Sequence, residues 1–165
     1  MAGHPEAAEG DLRVDFEKLS SIGHKYVLPV VGVLLARAVC QQGRYEEATE
    51  LTATVEQLAD ETDVETQAIR RCVSAQLLVA EEGNREEAER LAREAAALVH
   101  NIESPDLQGD CLVVLAEVLA AAGRRDEACH VLREACDLYR LKGNVISAER
   151  THALEGELLP SAANA

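Results

Sequence analysis

Apolar and polar positions along the chain fall into two alternating kinds of segment. The first kind is apolar around most of its circumference. Val30-Val31-Gly32-Val33-Leu34-Leu35-Ala36-Arg37-Ala38-Val39-Cys40 is one example, and it predicts a helix buried on more than one side. The second kind is one-sided. From Tyr45 to Leu58 the residues Ala48, Leu51, Val55 and Leu58 stand at i, i+3, i+7 and i+10, which predicts an amphipathic helix with a single stripe. The alternation continues. A helix is expected from about Val64 to Glu82, with Ile69, Val73, Leu77 and Ala80 apolar. A striped one follows from about Arg85 to Asn101, carrying Ala88, Leu91, Ala95 and Leu98. After Ser104-Pro105, a stop-and-start signal, Leu112, Leu115, Ala116 and Leu119 mark another broad helix. Ala128, Val131, Ala135 and Leu138 mark another stripe.

The turns between the two kinds repeat. Gly3-His4-Pro5-Glu6-Ala7-Ala8, Gly43-Arg44-Tyr45-Glu46-Glu47-Ala48, Gly83-Asn84-Arg85-Glu86-Glu87-Ala88 and Gly123-Arg124-Arg125-Asp126-Glu127-Ala128 lie 40 residues apart. Each glycine is expected in the left-handed conformation that closes a helix. The acidic residues after it suit the positive end of the next helix. A fixed period in this range predicts a stacked solenoid. The expected fold is therefore all-α, a right-handed solenoid of antiparallel helix pairs with about eight helices. It would form one domain over 1–158: a half repeat at 3–22, repeats at 24–60, 63–102 and 105–142, and a polar capping helix at 144–158. Pro160 is expected to end that helix, with 159–165 a flexible tail. Because Gly3 matches a turn, the chain is expected to start in the middle of a unit. Leu12, Phe16 and Leu19 would then form an uncovered stripe suited to self-association, giving either a homodimer through the N-terminal half repeat or a loose N-terminal helix.

Composition narrows the function classes. Thirty acidic against 16 basic residues give a net charge of −14, which disfavours nucleic acid and anionic membrane surfaces as partners. A basic or neutral protein or peptide is the natural one. No apolar run approaches the roughly 18–20 residues that cross a bilayer. Cys40, Cys72, Cys111, Cys129 and Cys136 are odd in number and form no CxxC. Each lies among Ala, Leu and Val, so reduced, buried thiols and a cytoplasmic location are expected.

No phosphate-binding, zinc-protease or serine-hydrolase motif is present. His4, His24, His100, His130 and His152 are dispersed, and the acidic pairs at 46/47, 86/87 and 126/127 recur as helix-start charges. No catalytic, cofactor or metal residue is assigned, and no enzyme activity is expected.

The repeat resembles the tetratricopeptide repeat. Ala36, Gln76 and Ala116 fall at that family's small position. Ala8, Ala48, Ala88 and Ala128 fall at its second alanine position, and Tyr45 at its tyrosine. Gly32, Cys72 and Leu112 stand where a tryptophan is usual. The period of 40 exceeds the family's usual 34 or so. The long units, and the ending Tyr139-Arg140-Leu141-Lys142-Gly143-Asn144-Val145, resemble the C-terminal repeat region of large bacterial signalling proteins that carry a cyclase or transcription-activator head. The resemblance implies a scaffold that binds a protein or peptide partner in a concave groove, or alternatively a small-ligand or signal-peptide sensor domain. Its groove positions map to Val30, Val33, Arg37, Cys40 and Gln41; to Arg70, Val73, Leu77, Ala80 and Glu81; and to Asp110, Val113, Glu117, Ala120 and Ala121. Arg37 and Arg70 at one end and Asp110 and Glu117 at the other either form a gradient that orients a partner or pair across neighbouring helices. The Lys and Asn set with which some family members clamp a C-terminal carboxylate is absent from these positions.

Overall fold

The computed structural model describes residues 5–159, with side chains from residue 9 onward. The expected turn at Gly3–Ala8 and the stretch at 160–165 lie outside the described residues or side chains. Among the described residues there are eight helices and no strand: α1 (Pro5–Ser21), α2 (Val27–Gln41), α3 (Tyr45–Leu58), α4 (Val64–Ala80), α5 (Arg85–Val99), α6 (Pro105–Ala121), α7 (Arg125–Lys142) and α8 (Val145–Leu158). Each packs against the next, and α2 on α4 and α4 on α6 form an inner layer. The broad apolar segments are the inner helices α2, α4 and α6. The striped ones are the outer helices α3, α5 and α7. Among the described residues no helix is long and apolar enough to cross a membrane.

The outer stripes are rotated by one position at alternate steps from the sequence expectation. The buried stripes are Ala48, Thr52 and Val55 on α3, Ala88, Ala92, Ala95 and Val99 on α5, and Ala128, Leu132, Ala135 and Tyr139 on α7, where Cys129 and Cys136 widen the buried face. Their steps are four, three and four. Leu51, Leu91 and Val131 flank the core half-buried, while Leu58 and Leu98 are exposed. The small residues at 48, 88 and 128 are fully buried, where alanine lets the paired backbones approach.

The turns show a second departure. Backbone φ is positive at Gly43 (77°), Gly123 (80°) and Gly143 (81°), but in the middle unit it is Glu82 (51°), not Gly83, that is left-handed. Gly43 N donates to Cys40 O and Arg44 N to Val39 O. The same pair of bonds is made by Glu82 N and Gly83 N to Val79 O and Leu78 O, and by Gly123 N and Arg124 N to Ala120 O and Leu119 O. The equivalent residues are therefore Gly43, Glu82 and Gly123, spaced 39 and then 41. The connection from α4 to α5 holds one extra residue, and everything on α4 sits one residue earlier than an even 40-residue period places it. A left-handed L-residue is disfavoured by about 1–2 kcal/mol. Glu82→Gly is therefore expected to stabilise the protein by about 0.5–1 kcal/mol in urea denaturation, and Gly43→Ala to destabilise it by about 1 kcal/mol. A destabilised Glu82→Gly would overturn this alignment.

Ion pairs join the outer layer at every second unit. Glu9 accepts from Arg13 (2.6 Å), Arg44 (2.7 Å) and Gln42 (2.8 Å), while Arg44 also pairs with Glu47. Eighty residues on, Glu89 accepts from Arg124 (2.7 Å) and Arg93 (2.8 Å), and Arg124 also holds Glu127. The Arg13 and Arg44 bonds hold the Glu9 carboxyl down at about 2. Arg13 lowers Glu47, Arg124 lowers Glu89, and Arg124 lowers Glu127. A carboxylate with a depressed folded pKa stabilises above its unfolded value and loses that contribution as pH falls through the folded one. The melting midpoint is therefore expected to hold between neutrality and pH 5, then fall between the ordinary glutamate value of 4.5 and about 2. Arg44→Ala and Arg124→Ala should flatten that fall. A midpoint unchanged at pH 2 in circular-dichroism melts would refute the linkage.

Candidate functional site

The inner helices bound a cleft of about 940 Å³. Its wall comes from α2, α4, α6 and α8, so α8 is not only a cap: packed on α7, it extends the inner wall with Arg150, Ala153, Leu154 and Glu157 on the cleft. Of α8, only Ala148 and Thr151 are buried. Arg133 on α7 donates to Glu155 (2.6 Å) and ties the helix to its neighbour.

Seven of the fifteen mapped groove positions line the cleft: Arg37, Cys40, Gln41, Ala80, Asp110, Val113 and Glu117. Val33 and Val73 do not. Both are fully enclosed in the core, and Leu77 nearly so, so they present no surface to a partner. Arg70 turns away to Glu56 on α3 (3.0 Å). The misplacement on α4 follows from the extra residue in the connection after it. Shifting Arg70, Val73 and Leu77 back by one gives Ile69, Cys72 and Gln76, and these three do line the cleft. Val33 is a different case, because α2 has the expected register and simply packs this face inward.

With that correction a polar row crosses the inner wall: Arg37, Gln76, Glu117 and Glu157, one from each inner helix. Gln76 Nε2 donates to Glu117 Oε2 (2.8 Å). Arg37 reaches past α4 and donates to Asp110 Oδ2 (3.0 Å). The buried Tyr139 hydroxyl donates to Asp110 Oδ1 (2.6 Å). Asp106 accepts from Asn144 (2.9 Å). The expected end-to-end gradient of Arg37 and Arg70 against Asp110 and Glu117 is therefore not present. Arg37 and Asp110 neutralise each other across the cleft, and Arg70 leaves it.

Glu117 touches water, yet the concave wall surrounds it and pushes its carboxyl above the usual range, with the Gln76 bond opposing the shift. An acid raised in the folded state destabilises above its folded pKa and is relieved below its unfolded one. Glu117→Gln keeps an acceptor for Gln76 and is expected to raise the melting midpoint by about 1–3 °C at neutral pH. An unchanged or lower midpoint would count against that desolvation.

Cys40, Cys72 and Cys111 also border the cleft. Burial pushes the Cys40 thiol up to about 11, with the Glu117 charge adding to it. The neighbouring Cys111 thiol, then burial, pushes the Cys72 thiol well up. Thiols held protonated are poor nucleophiles. Among the described residues no group of three His, Cys, Asp or Glu is placed to hold a metal ion.

The stripe expected for self-association is largely used within the fold. Leu12 and Phe16 pack against the core, and Leu19 is half-buried. Gly32 is what admits Phe16: a Cβ there would lie 3.0 Å from Phe16 Cε2 and 2.9 Å from Val55 Cγ2. The exposed apolar residues at this end are instead Val14, Ile22, Tyr26, Val27 and Val30. Sequence reasoning placed Val30 in the groove, which it does not line, and missed the others, most of which belong to the α1–α2 connection and the start of α2.

Residues 109–141 match the family model for the tetratricopeptide repeat. No curated protein and no solved structure matches the chain. The matched stretch runs from Gly109 in α6 through the Gly123 turn to Leu141 in α7. The pairs α2–α3 and α4–α5 repeat its inner helix, left-handed turn, acidic helix start and buried alanine. The chain is thus built from helix pairs similar to the tetratricopeptide repeat, with neighbouring helices stacked in contact, and the family match itself lies on the α6–α7 pair.

Proposed function

We propose that the protein is a non-catalytic interaction module that binds a protein or peptide segment along the concave cleft. The observation that carries this reading is the cleft itself: about 940 Å³, walled by four inner helices, with apolar and polar side chains side by side. A groove of that kind takes a helix or an extended peptide through a few apolar anchors and fixes its direction with polar contacts. The overall charge of −14 favours a basic or neutral partner. Ala153 is exposed on the cleft wall, so Ala153→Trp should fill the groove without disturbing the core. Partner capture that survives Ala153→Trp would refute the reading.

A second reading is a sensor for a small ligand or signal peptide within a larger bacterial signalling protein. The cleft volume, within the range of small-molecule pockets, favours it. A thermal-shift screen separates the two, because a compound at 100 times its Kd adds about 2.7 kcal/mol. A cytoplasmic location belongs to the proposal and is supported by five cysteines that are all unpaired and buried. So does a homodimer through the α1–α2 end, for which Ile22 and Tyr26 supply exposed apolar surface. A monomer by light scattering at high concentration would remove that part.

A further inference from the structure

We propose that the segment bound in the cleft carries a lysine or arginine whose cation seats against Glu117, with its apolar neighbours lying on Val113 and Leu154. The inference rests on the groove reading above and adds the chemistry of the occupant. The carboxylates on the cleft wall are not alike. Asp110 already receives Arg37 at 3.0 Å and the Tyr139 hydroxyl at 2.6 Å. Asp106 receives the Asn144 amide. Glu117 receives only the neutral amide of Gln76. Glu157, the next residue along the same row, makes no side-chain hydrogen bond or ion pair among the described residues.

The positive charge of Arg37 is balanced by Asp110, so among the described residues the wall presents three carboxylates without a cationic partner, Asp106, Glu117 and Glu157, against one unpaired arginine, Arg150. A cation entering there meets a negative site inside a concave, partly desolvated surface, where the attraction exceeds that of an exposed pair. An acidic segment would add a like charge beside Glu117, a carboxylate whose ionisation its surroundings already oppose. Charge complementarity therefore selects a basic occupant.

The test uses the whole chain and two fluorescein-labelled model peptides that share one Leu/Ala amphipathic pattern, with lysines on the polar face of one and glutamates on the other. In fluorescence anisotropy the lysine peptide is expected to bind and the glutamate peptide is not. Affinity for the lysine peptide should fall about tenfold or more with Glu117→Gln and decline with added salt. Glu86→Gln, a charge removal at an exposed site on α5, which contributes nothing to the cleft, should leave it unchanged. Circular dichroism confirms that each variant is folded. The proposal is overturned if the lysine peptide fails to bind, if Glu117→Gln binds it as tightly as the parent, or if the glutamate peptide binds equally well. Ala153→Trp distinguishes the two levels. Binding lost in Ala153→Trp but intact in Glu117→Gln removes the cation site and keeps the groove, whereas binding intact in both removes the groove.

Discussion

Tyr139→Ala is expected to lower stability by about 3–5 kcal/mol, the range for removing a large buried ring. Tyr139 is 3% exposed and closes the contact between α6 and α7. Its ring lies over Gly109, where a Cβ would stand 2.7 Å from Tyr139 Cζ and 2.8 Å from Cε1. A methyl group cannot be placed there without moving the ring. The hydroxyl ends on Asp110, which in turn holds Arg37 of α2. Burial, then the Asp110 charge, pushes the phenol far above its usual range, so it remains a donor wherever the protein is folded. One side chain thus combines packing between paired helices with a polar link across the inner wall. Tyr139→Phe keeps the ring and should lose only about 1 kcal/mol, the net value of a hydrogen bond. Gly109→Ala should cost about 1–3 kcal/mol through overpacking. In the Tyr139→Ala background the same Gly109→Ala change should be neutral or stabilising, because the clash is gone and alanine favours the helix by about 1 kcal/mol. Urea denaturation of the four proteins in this cycle measures the coupling. Strict additivity would show that the ring does not rest on the glycine.

The helices were legible in the sequence because two periodicities were present at once. The near-continuous apolar runs at Val30–Cys40 and Leu112–Leu119 marked inner helices, and the Glu-Glu-Ala starts marked outer ones. What the sequence hid is a matter of register. Gly43 and Gly123 are left-handed, and Gly83 sits at the same even spacing, so an equal period looked sound. Yet Glu82 accepts the strained position, and Gly83 takes the place that Arg44 and Arg124 hold elsewhere. Glycine is a permissive residue, not an obligatory one, so its presence next to a turn does not fix which residue has positive φ. One inserted residue is a rotation of about 100° on a helix, enough to carry Val73 into the core and bring Cys72 to the cleft. The polar matches carried information that spacing alone lacked. Gln67 bonds Asp60 O and Gln108 bonds Val99, His100 and Ile102 O. Each seals the segment that follows the preceding outer helix, and the two lie 41 residues apart. The Arg37–Asp110 bond could not be read at all, because it joins residues 73 apart on helices separated by a third.

Ala88→Leu is the sharpest test of the pairing within a unit, with an expected loss of about 1–3 kcal/mol. Ala88 is fully buried at the start of α5, as are Ala48 on α3 and Ala128 on α7. At each of these positions an outer helix leaves the turn and first touches its inner partner, so the backbone spacing is set by a single methyl group. Leucine adds three carbons to a packed wall, and the helices must separate or the side chain must leave its preferred rotamer. Ala97, on the solvent side of the same helix, provides the control, and Ala97→Leu should stay within about 0.5 kcal/mol. The array also predicts how the loss spreads. Stability in a stacked repeat is close to a sum of unit and nearest-neighbour terms. Ala88→Leu weakens the middle of the stack, where the inner helix α4 joins α2 to α6. It should therefore broaden the unfolding transition or divide it in two, while Ala48→Leu and Ala128→Leu act nearer an end and shift a single transition. A neutral Ala88→Leu would mean that the outer helices do not approach their partners at the alanines, and the helix pairing described for all three units would have to be redrawn.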